Sequence, residues 1–227
     1  MKIEKEQLRR NLDEVIWKIE KARIAVSEHH IVKLVTVGKY TDTENIETLY
    51  RLGQRAFGEN QVQQLEERSK ALESLPLEWH FIGRLQKNKI NKLIDINPFL
   101  MQSIDSLDLA LALDERLKVK ERSMNCLLQI NSAREESKSG VSTEEAIDIY
   151  QEISERCRQI NLKGVMSIGA HTDEQALVKK SFEDTHKIYE AVQKEGATVC
   201  SMGMSGDFEL AISCGSNLIR VGSALFR

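Results

Sequence analysis

The sequence lacks what a metal site, a disulfide framework or a membrane span requires. Its four cysteines, Cys126, Cys157, Cys200 and Cys214, are far apart, form no C-x-x-C pair and have no clustered histidines beside them. Zinc-type ligand spacing is therefore missing. Three of the cysteines have apolar or small neighbours, as buried free thiols of a reducing compartment do. No run approaches the ~20 apolar residues of a membrane helix. The opening stretch, MKIEKEQLRRNLDEVIWKIEKARIAV, is too charged for a signal peptide. A preponderance of one charge is missing too: 32 Lys and Arg against 35 Asp and Glu leave −3. With no basic field, and no aromatics interleaved with basic residues, neither nucleic acid nor an anionic membrane is an expected partner. A soluble cytoplasmic protein is the expectation. With only two prolines, element boundaries rest on glycines and polar residues.

What is present is enough apolar material, 41% of 227 residues, for a sizeable core. Residues 3–28 carry a helical stripe of Leu8, Leu12, Val15, Ile16, Ile19 and Ala22. After it the chain alternates. Strands are expected at 33–38, 55–58, 79–83, 99–103, 124–131, 162–169, 198–203 and 217–222. Amphipathic helices are expected between them, at 43–52, 60–73, 87–95, 106–118, 142–157, 173–195 and 206–214. Ser142 and Glu145 form a capping pair ahead of one of these. The strands are short and apolar rather than strictly alternating, as strands buried on both faces should be. Strand–helix alternation implies a parallel sheet, and eight repeats favour closure. The expected architecture is α/β: a single (β/α)8 TIM-type barrel over residues 1–227, with an extra N-terminal helix. Its length falls at the compact end of that fold. An open doubly wound sheet is the alternative.

Working residues of such barrels lie at the C-terminal ends of strands and in the loops beyond. In KLVTVGKY, 33–40, a buried strand ends at Gly38 and Lys39 follows at once. Lys39 either marks the return to solvent or enters the barrel mouth. In an apolar pocket its amine would be neutral and able to condense with a carbonyl. SMGMSGDFELAI, 201–212, follows the seventh strand and RVGSALF, 220–226, covers the end of the eighth, where these barrels build phosphate sites. Ser205 and Gly206 would open a helix whose unpaired N–H groups face an anion. Gly222 and Ser223 would add close backbone approach and a hydroxyl. Ordinary turns remain the plain reading of both. Arg220 lies inside an apolar strand, as a structural ion pair or as a donor to a ligand ring nitrogen or carboxylate. FGEN, 57–60, puts Glu59 and Asn60 at the mouth. His80, between Trp79 and Phe81, is more often a hydrogen-bonded core residue than a catalyst. Arg84, Lys87, Lys89 and Lys92 make a basic rim, a solvated helix face or a second anion site. INSAREESKSG, 130–140, is a long polar loop after the fifth strand.

GENQVQ, WHFIGRLQKNK, ESKSG, SMGMSGDFELAI and RVGSALF, in this order after Lys39, closely resemble the pyridoxal phosphate homeostasis proteins, the YggS/PROSC group. The resemblance runs from about residue 30 to the end of the chain. It implies a single-domain barrel of PLP-dependent fold type III, similar to the N-terminal domain of alanine racemase, that binds pyridoxal 5′-phosphate (PLP). It also implies that Lys39 forms the internal aldimine and that Arg220 faces the pyridine nitrogen. Ser205, Gly222 and Ser223 would hold the phosphate, and Asn60 and His80 would line the pocket. An arginine opposite that nitrogen would keep it unprotonated and weaken the electron sink of most PLP chemistry. The sequence departs from the pattern at Gly38, where relatives often carry Ser, and at Arg84, where Pro is common.

The implied function is a PLP carrier of intracellular PLP homeostasis, storing, buffering or delivering the cofactor. No metal is expected, its recipients would be apo forms of PLP enzymes, and a monomer is expected. An amino-acid racemase is the alternative. Barrel-type racemases use a second, β-rich domain and a tyrosine, and no residues remain after 226 to build that domain. Of Tyr40, Tyr50, Tyr150 and Tyr189, only Tyr40 is expected near the mouth. A Schiff-base aldolase acting on a sugar phosphate suits the lysine but not the motifs.

Overall fold

The computed structural model describes residues 3–39, 41–135 and 138–227. Eight short runs of apolar and β-branched residues form strands because each can be buried on both faces. They are β1 Lys33–Val37, β2 Ala56–Glu59, β3 Glu78–Phe81, β4 Leu100–Ile104, β5 Met124–Ile130, β6 Ile160–Ser167, β7 Val199–Ser201 and β8 Leu218–Val221. They pair in parallel in chain order, and β8 returns to β1, with Lys33 opposite Leu218 and Thr36 opposite Val221. The sheet is a closed barrel. The open-sheet alternative is thereby excluded.

The surrounding helices are α1 Lys5–Val26, α2 Thr43–Arg51, α3 Val62–Ala71, α4 Ile90–Ile96, α5 Leu107–Val119, α6 Ala146–Arg156, α7 Gln175–Val192 and α8 Phe208–Ser213. Among the described residues no helix follows β8. α1 packs against α8 and α2 and fills that place in the ring. The expected extra helix is therefore the eighth member of the helical layer. It buries Leu8, Leu12, Val15 and Ile19, a line of 4-3-4 spacing. Ile16, also expected on that stripe, lies one position around the helix and is 44% exposed.

Most element ends fall within a few residues of their expected positions. Three differ for local reasons. The Ser142–Glu145 capping pair forms, with Ser142 Oγ accepting from Glu145 N–H at 3.3 Å and donating to the Glu145 carboxylate at 2.6 Å. It does so in a turn ahead of α6, which begins at Ala146. β7 stops at Ser201 because the chain turns at Gly203, whose φ is 92°. α8 begins at Phe208 and not at 206, since the N–H groups of Asp207 and Phe208 both close on Met204 O.

The core divides in two. The larger part lies between strands and helices. A smaller cluster of Val35, Ala56, Leu100, Leu127, Met166 and Leu218 fills the barrel interior. Paired residues of a parallel ladder point to the same side. Arg220 pairs with Val35, and His80 pairs with Leu100, so both side chains enter the interior. β5 and β6 slip register between Cys126 and Leu127. The slip needs Gly164, at φ 142°, where a Cβ would meet Val199 O at 1.9 Å. All four cysteines are buried, and burial pushes the Cys126 and Cys200 thiols up, which makes them inert.

Candidate functional site

β1 ends at Val37, Gly38 N–H bonds Gly58 O, and Thr41 N–H closes a turn on Gly38 O. Lys39 stands in that turn and is exposed. It does not sit in the apolar pocket considered for it, because the turn lifts it past the strand end while Gly38 takes the buried position. The glycine has a physical reason. A Cβ at Gly38 would lie 2.5 Å from Glu59 Oε1 and 3.0 Å from Arg68 Nη1. A side chain at this position would force that pair to shift.

Glu59 is fully buried and faces α3, so it does not line the open mouth as the sequence suggested. Its carboxylate pairs with Arg68, whose Nη1 also donates to Gly38 O at 2.7 Å. Arg68 Nη2 donates to Thr41 O. One guanidinium therefore holds both ends of the Lys39 turn. Burial pushes the Glu59 carboxyl above its ordinary pKa, and the Arg68 charge pulls it partly back. Asn60 follows, half-buried, and its carbonyl lies where a Cβ on Gly83 would be, 1.9 Å away.

The loops after β7 and β8 meet across the same end of the barrel. Ser205 Oγ accepts from Gly222 N–H at 3.2 Å and from Ala224 N–H at 3.4 Å. Ser205 and Gly206 belong to a turn and do not open α8. The amide donors thus come from the loop after β8, not from a helix end. Asp207 Oδ1 accepts from Met204 N–H at 2.6 Å and fixes the turn. Gly222 lies against β1: its missing Cβ would be 3.1 Å from Val37 O. That contact brings the Ser205–Gly222 pair beside the strand that leads to Lys39. Ser223 is exposed on the same loop.

Arg220 is 4% exposed. Its Nη2 donates to Ser167 O at 2.8 Å and its Nη1 to Ser201 Oγ. These partners are neutral oxygens, and among the described residues no carboxylate is within ion-pair distance, though the Asp207 charge still acts on this arginine through space. Burial lowers its pKa to about 10, which leaves it a cation at neutral pH. His80 is fully buried, with Nδ1 3.0 Å from Gln102 Nε2 and its ring 5.5 Å from that of Phe99. Burial first, then the nearby Lys33 charge, push its pKa down to about 3. It is buried and hydrogen-bonded, as its neighbours suggested, and it reaches the Arg220 side through Gln102 and Ser201.

The basic rim is largely neutralised: Arg84 lies 3.6 Å from Asp105, Lys87 2.5 Å from Asp108, and Lys92 pairs with Glu66. In ESKSG, Lys138 donates to Glu135 at 2.7 Å and to Gly169 O at 2.8 Å, which ties the loop after β5 to that after β6. Glu136, Ser137 and Tyr40 lie outside the described residues. Three residues escaped the sequence reading: Arg68, Gln102 and Ser201. Gln102 and Ser201 left a trace, as polar residues within short buried strands. Arg68 left none.

Residues 3–227 match the family described as alanine racemase, N-terminal domain. A pyridoxal phosphate homeostasis protein of Helicobacter pylori is 54% identical over 219 residues, 96% of this chain and 98% of that protein. The solved structure of PipY from Synechococcus elongatus with PLP bound superposes with a TM-score of 0.83 at 28% identity, covering 97% of this chain and all of that one. An alanine racemase from Clostridium difficile shares the fold, with a TM-score of 0.77 at 18% identity over 56% of its length. Strand-end lysine, paired loops after β7 and β8, and full-length similarity agree, and the chain belongs to the pyridoxal phosphate homeostasis protein family, within the alanine racemase N-terminal-domain family.

Proposed function

We propose that this protein binds PLP at the C-terminal mouth of its barrel and serves PLP homeostasis, holding or delivering the cofactor without turning over a substrate. The observation that carries the reading is the Ser205 hydroxyl, which gathers the amides of Gly222 and Ala224 beside the β1 strand end. With both amides donated to its oxygen, the Ser205 hydroxyl has its own proton left to give, and a phosphate oxygen accepts such a bond. Buried Arg220 and the exposed Lys39 complete a donor set that fits this cofactor. The name of the Helicobacter relative and the PLP-bound PipY structure support it.

PLP, when bound, supplies an aldehyde that bonds an amine and a ring that withdraws electrons. Lys39 is the amine. Ser205, Gly222 and Ser223 hold the phosphate, with Asn60 at the rim and His80 behind the pocket. Arg220 has only N–H donors to offer, so it holds a ring nitrogen without giving it a proton. Among the described residues, which leave out Tyr40, the tyrosines Tyr50, Tyr150 and Tyr189 lie in α2, α6 and α7 and not at the mouth. Burial pushes the His80 pKa down to about 3, so its ring is neutral at neutral pH, and it stands behind Gln102 and Ser201. The carrier reading is therefore favoured over the racemase. Among the described residues no helix is long and apolar enough to cross a membrane. The four buried free cysteines suit a reducing cytoplasm.

Calorimetric titration with PLP and with pyridoxal tests the cradle. Charge-assisted bonds are worth roughly 1.5–3 kcal/mol each, so pyridoxal should bind about 10- to 100-fold more weakly. Ser205→Ala should weaken PLP and leave pyridoxal nearly unchanged. Equal affinities for the two ligands would remove the phosphate site from this reading.

A further inference from the structure

Ser201 on β7, Gln102 on β4 and His80 on β3 are all buried. Together with Arg220 they form one hydrogen-bonded row across the barrel interior. Arg220 Nη1 donates to Ser201 Oγ, Ser201 Oγ donates to Gln102 Oε1 at 2.7 Å, and Gln102 Nε2 lies 3.0 Å from His80 Nδ1. The direction of the row is set at the arginine end. A guanidinium only donates. Ser201 thus accepts from Arg220 and passes its single proton to Gln102. Gln102 must then turn its carbonyl toward Ser201 and its amide toward His80. Nδ1 of His80 accepts, and the ring proton sits on Nε2, which is buried with no partner among the described residues.

An unpartnered buried N–H is a cost, and apolar side chains of similar volume would fill this interior without it. A purely structural core has no use for the arrangement. We infer that Gln102, backed by His80, is a positioning residue for Arg220. The row locks the Ser201 hydroxyl as an acceptor and so keeps the guanidinium in one orientation. This rests on the reading that Arg220 meets the ring nitrogen of bound PLP, and it adds what sets that contact. The hydrogen bonds that aim the arginine go to neutral groups, while the Asp207 carboxylate acts on its charge through space. Every link also donates away from Arg220, so the interior has no route by which to hand a proton to that nitrogen.

Long-range nitrogen–proton NMR of the ligand-free protein should show His80 protonated on Nε2 and bare on Nδ1. The opposite tautomer would overturn the row. In the PLP-loaded protein, Gln102→Leu frees the Ser201 hydroxyl to rotate. It should move the absorption band of the bound cofactor and raise its dissociation constant about tenfold, the scale of one hydrogen bond to a charged group. Ser201→Ala removes the acceptor itself and should do the same, which keeps the test open if Gln102→Leu folds poorly. A structural role alone would lower the melting temperature and leave the band in place. An unmoved band and unchanged affinity in both variants, with wild type binding PLP, would sink this inference only. A wild-type protein that takes up no PLP would sink the cofactor reading with it.

Discussion

Borohydride treatment of the PLP-loaded protein should fix the cofactor on Lys39, and Lys39→Ala should abolish that fixation. The reagent reduces a carbon–nitrogen double bond, so only a lysine bonded to the cofactor carbon is marked. Lys39 is exposed one residue beyond Gly38, and Gly222 lies against Val37 at the end of the strand that leads to it. Two other lysines are held in place by named contacts. Lys138 is tied to Glu135 and Gly169 O, and Lys33 pairs with Glu78 at the opposite end of the strands. No other lysine is expected to substitute at the same site, so the covalent band should vanish and not merely weaken. Residual binding through the phosphate should persist, at least 100-fold weaker if the covalent bond is worth about 3 kcal/mol or more. Peptide mapping of the reduced protein decides the matter. Full labelling of Lys39→Ala, or a label found on Lys138, would show that the anchor lies elsewhere.

Arg68→Ala should be the most destabilising single change in the region around that lysine, by about 3–5 kcal/mol. The cost arises from what it leaves behind. Glu59 has no exposed surface, and its Oε2 has no hydrogen-bond partner among the described residues. Without Arg68 the carboxyl would have to be buried charged and unpaired or take up a proton. The turn at Gly38 and Thr41 would lose two carbonyl contacts as well. The pH dependence follows from the raised Glu59 pKa. A carboxyl that binds its proton more tightly when folded contributes most below its ordinary value of 4.5, and that contribution is lost as pH rises through the folded pKa. Removing Arg68 raises the folded pKa further, so the deficit against wild type should grow from pH 5 to pH 8. Urea denaturation at both pH values measures it. A deficit below about 1 kcal/mol, or one that is the same at both pH values, would mean that Glu59 is not its source. Adding Glu59→Gln to Arg68→Ala should recover part of the loss and flatten the pH dependence.

The eight strands, their order and the place of Lys39 beyond the first of them were legible in the sequence, because each depends on a run of neighbouring residues. A short apolar segment followed by Gly38 reads as a strand end whatever lies across from it. Gly222, at the end of the expected eighth strand, and Ser205, after the seventh, were likewise singled out by local composition. Their relation to each other was not. The amides that gather on Ser205 come from residues 17 and 19 positions further along the chain, and the sequence pointed instead to a helix beginning at Gly206. α1 could be seen as a helix, but its place as the eighth of the ring depends on the gap after β8. Glu59 read as a mouth residue because nothing in FGEN announces Arg68 on the next helix. The row from Arg220 to His80 joins Ser201 to Gln102 across 99 positions. No local period records such a contact. It exists because closing the sheet brings β3, β4, β7 and β8 around one interior, where a polar group must find its partner from whichever strand the register supplies.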